Sequence, residues 1–263
     1  MILSVDGVDL EARWVGPPPD GGTTLVYLHE GLGSITHWRE TPEAIANAVG
    51  RPGLVYSRQG YGQSTPVQVP RPLSYMHDEA ARLKEVLAAA LIQDAILIGH
   101  SDGASIALIA TGAGHVSPRA LVLIAPHVFV EDVSVASIAA AADAFSAGDL
   151  RGKLARHHAD VSGAFWGWNR AWLDPDFRAW NLEELLPAIT VPILIVQGDA
   201  DEYGTIAQVE AIRAGVAGPV SVEIVAGAGH APFRDAPDLV HVRIAEFVRS
   251  VQGATSRATP ARP

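Results

Sequence analysis

The sequence predicts an α/β fold: a mostly parallel central sheet covered by helices on both faces, with an antiparallel hairpin at its start and a helical insertion late in the chain. Three observations predict it. Short apolar runs without polar alternation recur at 24–29, 53–57, 95–99, 121–125 and 191–198, as strands covered on both faces require, and 220–225 reads as the last strand. Helical segments separate most of these runs, the order that parallel strands joined by crossovers impose. Finally, the junction Gly99-His100-Ser101-Asp102-Gly103 joins an apolar strand directly to a run of small apolar residues, 104–110, that reads as a packed helix.

Taken in order, residues 2–5 and 8–14 flank Asp6-Gly7, a dipeptide suited to a tight hairpin turn. Pro17-Pro18-Pro19-Asp20-Gly21-Gly22 is a loop, and a helix around 43–49 separates the strands 24–29 and 53–57. Residues 78–90 form an amphipathic helix that leads into the strand 95–99. Between the strands 121–125 and 191–198 lies an insertion, about 127–187, with an Ala-rich helix at 134–145, a further segment at 150–158, and a stretch holding Phe165, Trp166, Trp168, Trp172, Phe177 and Trp180. Such an insertion is expected to sit as a lid over the C-terminal edge of the sheet. An amphipathic helix at 237–251 closes the domain. The expected organisation is one domain over 1–252 that carries this cap, with 253–263 a disordered tail rich in Ala, Thr, Ser, Arg and Pro.

Composition bounds the function classes. The chain has 263 residues, 48% hydrophobic and 18% charged, enough for one large core. A net charge of −10 argues against nucleic acid or an anionic membrane as the main partner, since both require a basic footprint. With no cysteine there is no disulfide, thiolate metal site or cysteine nucleophile. No stretch has the uninterrupted apolar length of a membrane span, and the first residues lack the features of a signal peptide. The expectation is a cytoplasmic protein acting on a small molecule without a cofactor.

Ser101 between two glycines at a strand-to-helix turn is a nucleophile elbow: the turn is too tight for side chains beside the serine, whose hydroxyl is held up at the edge of the sheet. Serine needs a base, and the base needs an orienting group. The strand 191–198 is followed by Asp199, Ala200, Asp201 and Glu202, and the strand 220–225 by Gly227-Ala228-Gly229-His230. Loops after parallel strands open on one edge, so Ser101, an acid and His230 can converge there. Asp201 is the preferred acid. Asp199 and Glu202 are alternatives, as are Glu131 and Asp132 after an earlier strand, which read better as solvated or capping residues at the start of the lid. Two backbone N–H groups should face the developing oxyanion, one from Asp102 and one from the Gly-rich turn after the first covered strand, where Gly31 is the choice. The Asp102 side chain suits the first helical turn on dipole grounds alone.

Substrate-binding candidates are His127, Trp166, Trp168 and Tyr203. The rings of 165–180 read first as packing between lid and body, with Trp166 or Trp168 walling an apolar pocket. His127 reads first as a hydrogen-bonded structural residue. His157 and His158 point about 100° apart on a helix and read as a solvated face rather than as metal ligands. Arg58 reads as fixing the loop that follows it.

From residue 1 to about 250 the chain resembles the α/β-hydrolase superfamily. The resemblance rests on His29-Glu30-Gly31-Leu32-Gly33, on Ser57-Arg58-Gln59-Gly60-Tyr61-Gly62-Gln63-Ser64, on the elbow, on Gly198-Asp199-Ala200-Asp201 and on Gly229-His230. It is similar to small capped members described as carboxylesterase-like or as carbon–carbon-bond hydrolases. The resemblance implies a cofactor-free hydrolase with Ser101, Asp201 and His230 as its triad. Glu30 stands where many relatives have glycine, Ser57 stands where many have aspartate, and the His-Gly-x-Gly-Pro-Gly pattern of many meta-cleavage-product hydrolases is absent. The activity this implies is hydrolysis of a small or medium ester, thioester or lactone with an apolar part. The same framework leaves open carbon–carbon cleavage of a diketone-like substrate, a perhydrolase or haloperoxidase activity, and a slow hydrolase serving as a ligand sensor.

Overall fold

The computed structural model describes residues 1–253; residues 254–263, and with them nearly all of the expected tail, lie outside the described residues. Eight strands form one sheet in the order β1-β2-β4-β3-β5-β6-β7-β8. The hairpin β1 (Ile2–Val5) and β2 (Val8–Val15) is antiparallel, and β2 pairs antiparallel with β4 (Gly53–Tyr56). From there β3 (Thr24–Leu28), β5 (Ala95–His100), β6 (Ala120–Ile124), β7 (Ile193–Gly198) and β8 (Val220–Val225) run parallel.

The burial patterns follow from position in the sheet. Every residue of β3, β5, β6 and β7 is buried, because helices cover both faces, and their sequences are accordingly near-continuous apolar runs with polar residues only towards their ends. The hairpin strand β1 alternates exposed and buried, and the edge strand β8 is mostly half-exposed. Leu25, Ile96, Ile98, Val122 and Val196 pack with Ile244 and Val248 of α9 (Pro237–Gly253) on one face. Val26, Leu97 and Leu121 pack on the other with α2 (Tyr75–Ala89) and α3 (Asp102–Gly112), through Met76, Leu83, Ile106 and Ile109. The helix expected at 43–49 is α1 (Thr41–Val49), which ends on Gly50 in the left-handed region at φ 64°.

The insertion between β6 and β7 holds α4 (Asp132–Ala147), α5 (Leu150–Leu154), α6 (Val161–Trp172) and 3-10 turns at Pro175–Ala179 and Glu183–Ala188. Asp160 caps α6 by accepting the Gly163 N–H at 2.9 Å. Two helices have no counterpart in the sequence reading: α7 (Ile206–Gly215) and the single turn α8 (Pro232–Asp235) just after His230. Among the described residues no helix is long and apolar enough to cross a membrane.

Candidate active site

The elbow is built by β5 and α3. Ser101 sits between them at φ 53°, ψ −120°, a conformation that costs a non-glycine residue about 1–3 kcal/mol and persists only where its surroundings enforce it. Its N–H donates to the Ile124 carbonyl at 2.9 Å, which ties the turn to β6. The flanking glycines have a steric cause. A Cβ on Gly99 would lie 2.6 Å from Ala104 Cα, and one on Gly103 would lie 2.0 Å from the Leu28 carbonyl oxygen. Strand, helix and neighbouring strand approach too closely there for any side chain.

His230 follows β8 and is held at three points. Its Nδ1 lies 2.9 and 3.0 Å from the two Asp201 carboxylate oxygens. Its backbone N–H donates to Glu202 Oε2 at 3.2 Å, and its carbonyl accepts from His100 Nε2 at 2.8 Å. A carboxylate can only accept, so the proton of the imidazole sits on Nδ1 and leaves Nε2 with a free lone pair. Asp201 also accepts from the Tyr203 N–H at 2.8 Å and from Gln197 Nε2 at 2.8 Å. Burial opposes its ionisation, but these bonds and the His230 charge outweigh burial and hold the carboxyl down at about 2.

The run of acids after β7 divides into three jobs. Asp199 accepts the Gly227 N–H at 2.6 Å, Asp201 holds the imidazole, and Glu202 holds the His230 backbone. Glu131 lies elsewhere, accepting from Thr205 and Gln208, and Asp132 pairs with Arg178 on the surface.

Ser101, Asp102, Gly31, His127, Trp168, Tyr203 and His230 line one cavity of about 380 Å³. Among the described residues the Ser101 hydroxyl makes no hydrogen bond to His230, a separation common in unliganded sites that tighten on substrate. Leu32, Ile138 and Trp172 add apolar wall, and Glu30, Glu202, Arg234 and Asp235 add charge. Gly31 lies against the Trp168 indole so closely that a Cβ there would come within 2.1 Å of Nε1.

Trp166, expected as a pocket wall, lies outside this lining and packs on Phe145, Phe165 and Arg170 instead. On α6 it points about 200° away from Trp168, so one helix cannot turn both toward the cavity. Trp172, four residues beyond Trp168 and on the same face, takes that place, a spacing visible in the sequence. Its Nε1 donates to Tyr75 Oη at 2.9 Å and to Asp102 at 3.3 Å, while Tyr75 Oη donates to Asp102 at 2.6 Å. The Asp102 side chain thus fastens α6 to the elbow helix, beyond the dipole role its position suggested.

His127 donates from Nε2 to the Tyr203 carbonyl at 3.1 Å. Burial, with the neighbouring His230 charge, holds its pKa down at about 4, so it stays neutral near pH 7. The expectation of a solvated His157–His158 pair holds for neither ring in full. His158 is buried, accepting from the Gly62 N–H and donating to the Leu32 carbonyl, both at 3.0 Å, because α5 ends against the loop after β3. His157 contacts Thr36 at 2.7 Å. Arg58 is fully buried and donates to the His29 and Glu30 carbonyls at 3.1 and 2.9 Å, fixing the Gly-rich turn. Among the described residues no group of three His, Cys, Asp or Glu is placed to hold a metal.

Glu30 is the most unexpected group. Its carboxylate lies 3.4 Å from His100 Nδ1 and 3.3 Å from Arg234. Burial opposes its charge, but the contact with His100 and the charges of His37 and Arg234 hold it well below the usual carboxylate range. His100, which packs beside Glu30 and donates to the His230 carbonyl, therefore braces the segment that carries the candidate base.

The family model described as the Alpha/beta hydrolase family matches residues 25–242. The chain belongs to this family. Solved structures with the same fold include a proline iminopeptidase from Mycobacterium smegmatis (TM-score 0.77, 16% identity, 97% of this chain and 99% of that one). An enol-lactonase from Burkholderia xenovorans LB400 gives 0.75 and 16% over 95% and 100%. An esterase from Exiguobacterium antarcticum gives 0.73 and 20% over 94% and 98%. No curated protein sequence matches the chain. By family and fold this alpha/beta hydrolase is a hydrolytic enzyme.

Proposed function

We propose that the protein is a cofactor-independent serine hydrolase that cleaves small or medium carboxylic esters, thioesters or lactones through an acyl-serine intermediate. The observation that carries this is the His230 imidazole, held by Asp201 in the tautomer that leaves Nε2 bare, on the same cavity as a strained elbow serine. Ser101 Oγ attacks the carbonyl carbon while His230 Nε2 takes its proton, and Asp201 stabilises the imidazolium. The Asp102 N–H, free of intrahelical bonding in the first turn of α3, and the Gly31 N–H receive the oxyanion. His230 then protonates the departing alkoxide or thiolate. Water attacks the acyl carbon and gives its proton to His230, the carbon–Oγ bond breaks, and the proton returns to Ser101 as the acid leaves.

Leu32, Ile138, Trp168 and Trp172 support an apolar portion in the substrate. The solved structures of like fold include an esterase and an enol-lactonase, which supports carbonyl substrates with oxygen leaving groups on this scaffold. The test is a panel of activated esters, thioesters and lactones run beside fluorophosphonate labelling read by intact-protein mass spectrometry. Turnover and a single adduct are expected, both lost in Ser101→Ala. A native protein that neither turns over nor labels would refute the proposal.

A further inference from the structure

A second cavity, of about 370 Å³, lies between the body and the lid beside the first, with Glu30, Leu32 and Arg234 forming walls of both. We propose that this annex binds an anionic group, a carboxylate or a phosphate, at the far end of the substrate whose acyl carbon meets Ser101; the proposal rests on the acyl-serine reading above.

The two cavities have opposite polar character. Around Ser101 the charged lining is Glu30, Asp102, Glu202 and Asp235 against one arginine. In the annex it is Arg39, Lys153 and Arg234 against Glu30 alone. These cations come from three separate elements: the loop before α1, the lid helix α5 and the turn α8 after His230. Little of their charge is already matched. Among the described residues the Lys153 ammonium meets only Asp149, an exposed pair one helical turn away at 2.7 Å, which contributes little. Arg234 places Nη2 on Glu30 and on the His37 carbonyl, but its Nε is buried without a partner among the described residues. Arg39 makes no side-chain hydrogen bond or ion pair among the described residues, and its backbone is held at φ 51°, a conformation uncommon for arginine. His37, also in the lining, adds no charge near neutrality, since burial holds its pKa at about 4.

Leu32, Leu150 and Leu154 supply apolar lining, and Leu32 is shared with the Ser101 cavity. That sequence of surfaces suits a short aliphatic chain carrying a carbonyl at one end and an anion at the other. An oxyanion in the annex would meet guanidinium forks able to bind it in bidentate fashion, which a neutral ester terminus cannot use. Placed the other way round, the anion would face the carboxylates around Ser101.

The experiment compares 4-nitrophenyl hydrogen adipate with its neutral methyl ester. The native protein should favour the charged substrate in kcat/KM by about fivefold or more, and the preference should shrink with added salt. In Arg39→Ala/Lys153→Ala the charged-to-neutral ratio should fall to about one. A ratio unchanged in the double variant, or a native preference for the neutral ester, would overturn the annex. Binding is measured separately, without turnover, by calorimetry of Ser101→Ala with monoethyl adipate, ethyl 6-(phosphonooxy)hexanoate and diethyl adipate. Tighter binding of either charged ligand, lost when the two annex substitutions are added, supports the proposal, and the stronger of the two identifies carboxylate or phosphate. Equal binding of all three overturns it. A native enzyme that fails to label at Ser101 while this binding pattern holds would refute the acyl-serine reading and leave the anion site standing.

Discussion

Asp201→Asn replaces one carboxylate oxygen with an NH2 group at a position where all the surrounding contacts are donors. Oδ1 accepts the Tyr203 N–H at 2.8 Å, the Gly204 N–H at 3.3 Å and His230 Nδ1 at 2.9 Å; Oδ2 accepts Gln197 Nε2 at 2.8 Å and the same imidazole at 3.0 Å. The two backbone donors cannot move, so the asparagine must keep its oxygen there. Its NH2 then faces the Gln197 amide, donor against donor. Gln197 cannot turn over to relieve this, because its Nε2 also lies 3.3 Å from the Gly198 carbonyl. His230 Nδ1, shared between the two oxygens of the carboxylate, now meets one oxygen and one NH2; without the negative charge the tautomer with its proton on Nε2 gains population, and that form lacks the lone pair that must take the Ser101 proton. The expected loss is about 10³–10⁴-fold in kcat, equivalent to about 4–5.5 kcal/mol. Stability falls too: a buried carboxyl held at about 2 against an ordinary 3.8 contributes about 2 kcal/mol near pH 7. The assay is kcat/KM on a 4-nitrophenyl ester together with the rate of fluorophosphonate labelling, with circular dichroism to confirm folding. Asp199→Asn, whose partner is the Gly227 N–H and not the imidazole, serves as the control, with a change of less than about threefold. A folded Asp201→Asn enzyme within tenfold of the native rate would refute the assignment.

Two further outcomes are expected. Gly31→Ala drives a Cβ into the Trp168 indole, and displacement of this wall should lower kcat/KM by about 10²-fold. Adding Trp168→Ala to that variant should restore at least part of the loss, and a double variant with simply additive losses would contradict the geometry. Acid should weaken the fold early. His127 and His37 are both held at about 4, chiefly by burial, against an ordinary 6.5. Since the unfolded chain takes up those protons first, stability drops as pH falls from 6.5 toward 4, by about 2 kcal/mol per histidine at pH 5. Below 3.8 the Asp201 carboxyl adds to the loss in the same direction. Urea unfolding at pH 7.5 and pH 5 measures this, and equal free energies at the two values would exclude it.

The candidate site was legible because much of it is local. A serine between glycines at a strand-to-helix turn is a short-range pattern, and its steric cause, the close approach of Leu28 and Ala104, is met by Gly103 and Gly99 in the sequence itself. The candidate acid and base follow from their place after two strands, which only required the strands to be parallel. The choice of Trp166 beside Trp168 failed on helix geometry that α6 makes explicit, where Trp172 was the residue at the matching spacing. His158 was read as solvated because nothing near it in sequence shows that Gly62 and Leu32 will enclose it.

By itself the sequence determined the parallel sheet, the elbow and the chain order of serine, acid and histidine, since each follows from periodicity, turn sterics or strand order within a few residues. Only the tertiary structure decided which neighbouring acid meets the imidazole, that Glu30 joins His100 and Arg234, and that Arg39, Lys153 and Arg234 share one cleft. Those outcomes depend on contacts between residues far apart in the chain. Their partners are chosen by how lid, loops and sheet pack together, and no local pattern encodes that choice.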